Sequence, residues 1–210
     1  MMVMADPGQY PFLDETLLDA DPIKQFKLWF DDAVEAKVPQ PDAMVLATAT
    51  LWGMPSARVV LLKSIDQRGF VFYTNHNSRK GWDLESNPNA ALTIFWAEMH
   101  RQVRVEGSVS RLSTGDSDAY FSTRPRDGQL SSLASAQSEP IGSRVELDRR
   151  FEELRRQYEG KSIPRPAHWG GYRVQPESIE FWQSRFARLN DRVLYSRRQD
   201  GTWTRTRLQP

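Results

Sequence analysis

Short runs in which apolar and polar residues alternate dominate this chain, as they do in antiparallel β-proteins. The alternation predicts strands at 44–50, 56–64, 69–75, 90–96 and 102–112, and further strands at 172–183 and within 192–208. Residues 66–69 are Asp-Gln-Arg-Gly, a sequence typical of a tight turn between neighbouring strands. The close spacing of strands and turns predicts an antiparallel sheet that closes into a barrel.

Helical periodicity interrupts the strands at several places. A helix is predicted from Pro22 to about Lys37, because Asp21 is a favourable N-cap and proline suits the first helical position. Its apolar stripe consists of Ile23, Phe26, Phe30 and Val34. Further helices are predicted at 113–123, 129–136 and 143–158. Helices set between strand runs favour one α+β domain over residues 21–210, preceded by a flexible segment at 1–20.

The composition of the chain mainly excludes kinds of site and classes of protein. The chain has 210 residues, a net charge of +1 and no cysteine, which excludes disulfides and thiolate metal sites and disfavours nucleic-acid binding. Its three histidines have no metal-ligand spacing, so no metal site is expected. No apolar run approaches the roughly 18 residues of a membrane span, and the first residues lack a signal-peptide layout. We therefore expect a cytoplasmic protein without a membrane partner.

Basic residues cluster beside two predicted strands and form a candidate phosphate site. Strand 56–64 contains Arg58 and Lys63, and strand 69–75 is followed by Ser78-Arg79-Lys80-Gly81, which is typical of a helix opening. Hydroxyls, cations and a helix N-terminus close together can cradle a phosphate. Two other interpretations stay open from these residues alone, namely a strand with charged ends and a solvated basic turn.

The segment 177–195 combines strand alternation with a high density of large polar side chains. Ile179, Phe181, Val193 and Tyr195 alternate with polar residues, as in half-buried strands. Between them lie Trp182, Gln183, Arg185, Arg188, Asn190, Asp191 and Arg192. Arginines beside a tryptophan form a platform that stacks on a planar ring and binds anions. The segment is therefore a second candidate for ligand binding.

Together these motifs resemble the pyridoxamine/pyridoxine 5′-phosphate oxidases, which are FMN enzymes of vitamin B6 metabolism. The matching stretches are 58–63 (RVVLLK), 73–75 (YTN), 78–81 (SRKG), 120–127 (YFSTRPRD), 180–183 (EFWQ) and 188–192 (RLNDR). The resemblance spans about residues 20–210. It implies an FMN-binding split β-barrel, antiparallel and Greek-key-like with flanking helices, that forms a homodimer with FMN at the interface. The implied reaction oxidises pyridoxine or pyridoxamine 5′-phosphate to pyridoxal 5′-phosphate, with O2 as acceptor and H2O2 as product.

The resemblance also implies roles for individual residues. The positions that match the family's FMN contacts are Arg58, Val59, Val60, Leu61, Leu62, Lys63, Tyr73, Thr74, Arg79, Lys80, Gln102, Gln137 and Ser138, with Trp182 and Arg192 of the partner subunit. The positions that match contacts with the substrate's phosphate are Lys63, Tyr120, Arg124 and Gly128. Arg188 and Asn190 match residues that contact the pyridine ring near the reacting carbon, and they are the expected catalytic pair.

Three departures from the family's pattern fall on the substrate side. Gly128 replaces a serine, Asn190 replaces a histidine, and residues 1–20 contain no Lys or Arg where the family often has a basic segment. Asn190 forms hydrogen bonds but cannot titrate. Two alternatives therefore stay open: a related FMN-dependent oxidase of the phenazine-biosynthesis type, and a non-catalytic flavin-binding homologue. The retained cations Lys63 and Arg124 favour a phosphate ester as substrate.

Overall fold

The computed structural model describes residues 12–210 of the chain. The helices are α1 (Pro22–Glu35), α2 (Arg79–Ser86), α3 (Thr114–Thr123), α4 (Arg126–Ala134) and α5 (Arg144–Gln157). The strands are β1 (Ala43–Ala49), β2 (Pro55–Leu61), β3 (Ser64–Asp66), β4 (Gly69–Asn75), β5 (Asn89–Trp96), β6 (Arg101–Arg111), β7 (Trp169–Gln183), β8 (Asp191–Arg197) and β9 (Trp203–Arg207). Each predicted strand and helix therefore has a counterpart, with shifts of a few residues at the ends.

All of these strands belong to one antiparallel sheet in the order β2-β1-β5-β6-β7-β4-β3, with β8 and β9 added beside β7. The long strand β7 organises the sheet. One edge of β7 pairs with β6 from Tyr172 to Gln183, whereas the other edge pairs first with β4 and then with β8. This arrangement curls the sheet, and β2 comes into contact with β4 across the opening. The predicted α+β class and antiparallel, barrel-like sheet are confirmed.

The predicted strand 56–64 is in fact two strands, because the backbone changes its hydrogen-bond partner at residues 62–63. The Leu62 N–H donates to the Asp42 carbonyl at 2.8 Å, and the Lys63 N–H donates to the Val71 carbonyl at 2.8 Å. The chain thus leaves the edge of β1 and joins the edge of β4. This crossover places β2 beside β4 and forms one wall of a cleft.

Helix α1 packs its apolar face against the curled sheet, but only part of the predicted apolar stripe is buried. Ile23 and Phe26 are buried as expected, and the Phe26 ring meets Phe70 edge-on at 4.9 Å. The prediction for Val34 was wrong, because its side chain is 50% exposed. Ala33 is buried instead, since successive helix positions differ by about 100° and only one of two neighbours can face the sheet.

Part of the segment predicted to be flexible, residues 1–11, lies outside the described residues. Residues 12–20 contact the C-terminal strands. Leu13 is buried and its N–H donates to Asp191 Oδ2 at 3.1 Å, while Glu15 forms an ion pair with Arg207. In the part of the chain that the structure describes, no helix is long and apolar enough to cross a membrane.

Candidate cofactor and substrate site

A cleft of about 880 Å³ opens between β2, β4, the start of α2 and helix α4. Most of the predicted site residues line it, namely Arg58, Val59, Val60, Leu61, Lys63, Tyr73, Thr74, Arg79, Lys80, Tyr120, Arg124, Gln137 and Ser138. The charged residues in the lining are all cations, and no carboxylate belongs to it. A cleft lined in this way favours an anionic ligand.

One group of cations surrounds the N-terminus of α2. Lys80 Nζ donates to Gln137 Oε1 at 3.0 Å, and Thr74 Oγ1 donates to the same oxygen at 3.1 Å. The backbone N–H of Arg79 donates to Ser138 Oγ at 3.1 Å. The 137–138 turn therefore closes over the first turn of α2. Strand β4, helix α2 and this turn bring together residues that are about 60 positions apart in the chain.

Burial makes these cations dependent on a ligand anion. Burial and, to a smaller extent, the positive charge of Arg58 together lower the pKa of Lys80 to about 8. Burial also lowers the pKa of Arg58, although Asp83 lies 3.9 Å from its guanidinium. Desolvated cations beside a helix N-terminus fit the phosphate group of FMN, which supplies the negative charge that neutral acceptors such as Gln137 do not.

Gly81 allows α2 to begin close to the preceding loop. A Cβ at this position would lie 1.9 Å from the His76 carbonyl oxygen, which is backbone and cannot rotate away. We expect Gly81→Ala to lower the free energy of unfolding by about 1–3 kcal/mol and to displace Lys80. The control is Gly115→Ala in α3, where the nearest atom would be 3.9 Å away. Equal urea midpoints for the two variants would contradict this role of Gly81.

A second group of residues lies where α3 and α4 meet β4 and β7. The rings of Tyr73 and Tyr120 stack with centroids 3.9 Å apart, and Trp169 stacks on Tyr73 at 5.4 Å. The guanidinium carbon of Arg124 lies 4.6 Å from the Trp169 ring centroid. Lys63, whose Nζ is 2.9 Å from Asp42 Oδ2, lines the same cleft. Three of the four residues implied for the substrate's phosphate, Lys63, Tyr120 and Arg124, thus share one cavity.

Several lining residues were not predicted from the sequence: Ser56, Ala57, Asn75, Ser131, Ser132, Ser135 and Trp169. The serines of α4 recur at the spacing of one helix face, and that period was a signal available in the sequence. No local pattern distinguished Trp169. Its place in the cleft follows from the pairing of β7 with β4, in which Trp169 is opposite Asn75.

Two predicted residues lie next to the cleft without lining it. The side chain of Leu62 is buried in the main core, so it cannot contact a ligand in the cleft. Gly128 lies behind Arg124, and a Cβ added there would be 3.4 Å from Arg124 Nη2. The side-chain hydroxyl that the family pattern places at position 128 has no direct counterpart here.

The remaining predicted residues lie elsewhere in the same chain. Gln102, Trp182 and Arg192 are cross-strand neighbours on β6, β7 and β8. Arg188 and Asn190 belong to the loop between β7 and β8. None of these five residues lines the cleft of its own chain.

Solved structures of known proteins share this fold. PhzG from Burkholderia lata 383, in complex with tetrahydrophenazine-1-carboxylic acid, is 34% identical with a TM-score of 0.91, covering 96% of this chain and 98% of that chain. A pyridoxamine 5′-phosphate oxidase-related, FMN-binding protein from Nostoc punctiforme PCC 73102 has a TM-score of 0.71 at 15% identity, covering 88% and 97%. The predicted split-barrel fold is therefore confirmed.

Sequence comparison is more specific. The family described as "Pyridoxamine 5'-phosphate oxidase" matches residues 30–158, and a "Pyridoxine 5'-phosphate oxidase C-terminal dimerisation region" matches residues 169–210. A pyridoxine/pyridoxamine 5′-phosphate oxidase from Rubrobacter xylanophilus is 59% identical over 94% of this chain and 91% of its own length. One from Nostoc punctiforme is 54% identical over 94% and 92%. On these matches, the chain belongs to the pyridoxamine 5′-phosphate oxidase family.

Proposed function

We propose that this protein is an FMN-dependent oxidase that converts pyridoxine 5′-phosphate, pyridoxamine 5′-phosphate or both to pyridoxal 5′-phosphate, with O2 as acceptor and H2O2 as product. The observation that carries the proposal is one cleft with two groups of cations, one at the start of α2 and one formed by Arg124, between α3 and α4, and Lys63, between β2 and β3. Two such groups suit a phosphorylated cofactor and a phosphorylated substrate held side by side. The names of the relatives at 52–59% identity support the same reaction.

In this proposal FMN occupies the cleft along β2. Arg79, Lys80 and the N-terminus of α2 hold its phosphate, assisted by Gln137 and Ser138. Residues 58–61 of β2 and the consecutive residues Tyr73 and Thr74 of β4 form the wall beside the rest of the cofactor. When bound, FMN would supply the redox chemistry, a two-electron oxidation of the substrate with O2 as the final acceptor.

The second group of cations holds the substrate through its phosphate. Lys63, Tyr120 and Arg124 supply two positive charges and a hydroxyl, and burial lowers the pKa of Arg124, as expected for a cation that has lost water without gaining a carboxylate. Binding energy gained at the phosphate, away from the reacting carbon, fixes the alignment of the ring in the cleft. This alignment is the protein's main contribution to rate.

A homodimer completes the site in this proposal. Val45, Val59 and Phe95 are 39%, 65% and 56% exposed on one outer face of the sheet. Cross-strand pairing places Trp182 and Arg192 on the same face. Two-fold pairing of this outer face would cover its apolar residues and carry Trp182 and Arg192 to the partner's cleft. The match to a C-terminal dimerisation region supports this arrangement.

The loop between β7 and β8 is held in a conformation that presents Arg188. Ala187 and Arg188 have φ values of 54° and 63°, which are costly for residues other than glycine. Asn190 Oδ1 accepts a hydrogen bond from the Arg185 N–H at 3.0 Å, and Arg185 pairs with Asp191 at 2.7 Å. These bonds support the loop, and Arg188, which is exposed, reaches the partner's cleft to orient the substrate and stabilise developing charge.

Asn190 also occupies the position at which the family's pattern has a histidine. Replacing Asn190 therefore tests its assignment to substrate binding. We expect Asn190→His to lower KM for pyridoxine 5′-phosphate about two- to tenfold, the value of one added hydrogen bond. Asn190→Ala, which removes the bond to the Arg185 N–H, should instead raise KM. Steady-state kinetics of both variants decide the matter, and an unchanged or higher KM for the histidine variant would count against this assignment.

A second candidate is oxidation of a tricyclic ring acid, which the structural similarity to PhzG favours. That protein is 34% identical, against 59% for the relative from Rubrobacter xylanophilus. The carboxylate of such an acid carries one negative charge and two acceptor oxygens, whereas a phosphate ester offers Lys63 and Arg124 more charge and three acceptor oxygens. The phosphorylated pyridine therefore fits this lining better.

The function is tested directly by anaerobic reduction. FMN-loaded protein is mixed with pyridoxine 5′-phosphate, then separately with pyridoxamine 5′-phosphate, while the visible flavin band is followed. We expect rapid bleaching with at least one of them, formation of pyridoxal 5′-phosphate, and return of the colour in air. A flavin that stays oxidised with both compounds would reject the proposal and leave a different substrate or a non-catalytic role.

A further inference from the structure

The phosphate subsite of this chain lacks a side chain at position 128, and a serine elsewhere is well placed to compensate. Gly128 lies at the start of α4, close behind the Arg124 guanidinium. A Cβ there would be 3.4 Å from Arg124 Nη2 and 3.7 Å from Cζ. A hydroxyl at position 128 would therefore touch the guanidinium of Arg124, and the glycine leaves that contact unmade.

Ser132 makes the contact from one helical turn further along α4. Arg124 Nη1 donates to Ser132 Oγ at 2.5 Å, and Ser132 Oγ donates to the Gly128 carbonyl oxygen at 3.0 Å. The hydroxyl thus has one acceptor and one donor interaction, which together fix its orientation. Ser132 also lines the cleft, whereas Gly128 does not.

The guanidinium of Arg124 is held on two sides. Its carbon lies 4.6 Å from the centroid of the Trp169 ring, and Nη1 is bonded to Ser132. Within residues 12–210, Nε and Nη2 of Arg124 donate no hydrogen bond to the protein. The guanidinium is therefore oriented in advance while two donor groups are left for a ligand, which suits the planar, forked recognition of a phosphate.

We propose that Ser132 is a positioning residue that replaces the absent hydroxyl at position 128 by fixing Arg124 for the substrate's phosphate. This inference rests on the proposed function, since it assigns a role within the same phosphate subsite. A positioning residue of this kind mainly changes how tightly the phosphate is held, because Lys63, Tyr120 and Arg124 itself remain to align the bound substrate.

The first test is kinetic. Ser132→Ala should raise KM for pyridoxine 5′-phosphate about two- to tenfold with kcat unchanged, because one hydrogen bond to a charged donor is lost. Ser132→Thr retains the hydroxyl and should keep KM near the wild-type value. Adding Gly128→Ser to the alanine variant should restore KM, since that hydroxyl lies beside the same guanidinium. The control is Ser122→Ala, whose hydroxyl bonds the Ala119 carbonyl of its own helix.

The second test measures binding without turnover. The probe is 4-deoxypyridoxine 5′-phosphate, which lacks the oxidisable hydroxyl, compared with 4-deoxypyridoxine by calorimetry on the FMN-loaded protein. Ser132→Ala should weaken only the phosphorylated compound, and equal weakening of both, or of neither, would overturn the inference. Wild-type protein that does not prefer the phosphorylated compound would overturn the phosphate subsite and this inference with it. A wild-type preference without flavin reduction by either proposed substrate would count against the proposed function alone.

Discussion

Lys80→Ala is expected to weaken FMN binding by roughly 30- to 1,000-fold, which corresponds to about 2–4 kcal/mol for removal of a desolvated charge from its partner. Lys80 is buried beside the start of α2, and its ammonium donates to Gln137 Oε1 at 3.0 Å and to Ser78 Oγ at 3.2 Å. Its loss would leave the cofactor's phosphate with one cation fewer at the start of α2. Flavin retained on gel filtration, and the dissociation constant from flavin fluorescence, measure the effect.

The control for Lys80 is another cation outside the cleft. Arg68→Ala removes a side chain that is 75% exposed and paired with Asp66, so it should leave FMN binding unchanged. Wild-type flavin retention by Lys80→Ala would remove this lysine from the cofactor site.

The same lysine predicts how FMN binding depends on pH. Burial lowers the pKa of Lys80 to about 8 in the free protein, so the ammonium is progressively lost above that pH. A bound phosphate favours the charged form and raises this pKa. FMN affinity should therefore be full between about pH 7, where the phosphate is dianionic, and pH 8, and fall as pH rises above 8, by at most about tenfold per unit. The Lys80→Ala variant should lose this dependence.

Arg188→Ala is expected to keep FMN while kcat/KM falls by about 100-fold, the usual consequence of a misplaced substrate. Arg188 is exposed and is assigned to the substrate side of the partner's cleft, so its removal should leave the cofactor's contacts intact. Arg198→Ala, on the exposed turn after β8, is the control and should retain activity. Loss of flavin from the Arg188 variant would contradict its assignment to the substrate side.

Mixed dimers test whether the site is shared between subunits. Each variant alone, Lys80→Ala or Arg188→Ala, has a defect in both of its sites. A dimer with one subunit of each kind should regain activity at one site, which combines an intact cleft with an intact loop from the other subunit. The two variants are dissociated reversibly and mixed in excess FMN. An activity assay then measures this gain. A site built within a single chain would show none.

The strands could be predicted well from the sequence because their side chains alternate strictly. Ile179, Phe181, Val193 and Tyr195 are all fully buried, as the pattern indicated. The break between β2 and β3 could not be predicted in this way. It follows from a change of partner strand at residues 62–63, and pairing between distant strands leaves no mark on local alternation.

The cleft was predictable where its residues are close in sequence and unpredictable where they are not. Residues 78–81 carry a local helix-start signal, and they lie where that signal placed them. The stacking of Trp169 on Tyr73 depends on strand pairing, and the contact of Ser132 with Arg124 depends on how α4 follows α3. The ion pair between Arg192 and Glu180, at 2.8 Å, was likewise not predictable from local sequence, because it joins side chains of the two paired strands β8 and β7.

Strand β2 contributes both to the cleft and to the exposed outer face of the sheet. This shared position links cofactor binding to subunit association. Val59 lines the cleft and is 65% exposed at the same time. A flavin that touches both subunits must strengthen their association by the same factor by which association strengthens its own binding. Dilution of the protein would then release cofactor, and added FMN would hold dilute subunits together. The flavin content of a sample would therefore depend on the concentration of its subunits as well as on its purity.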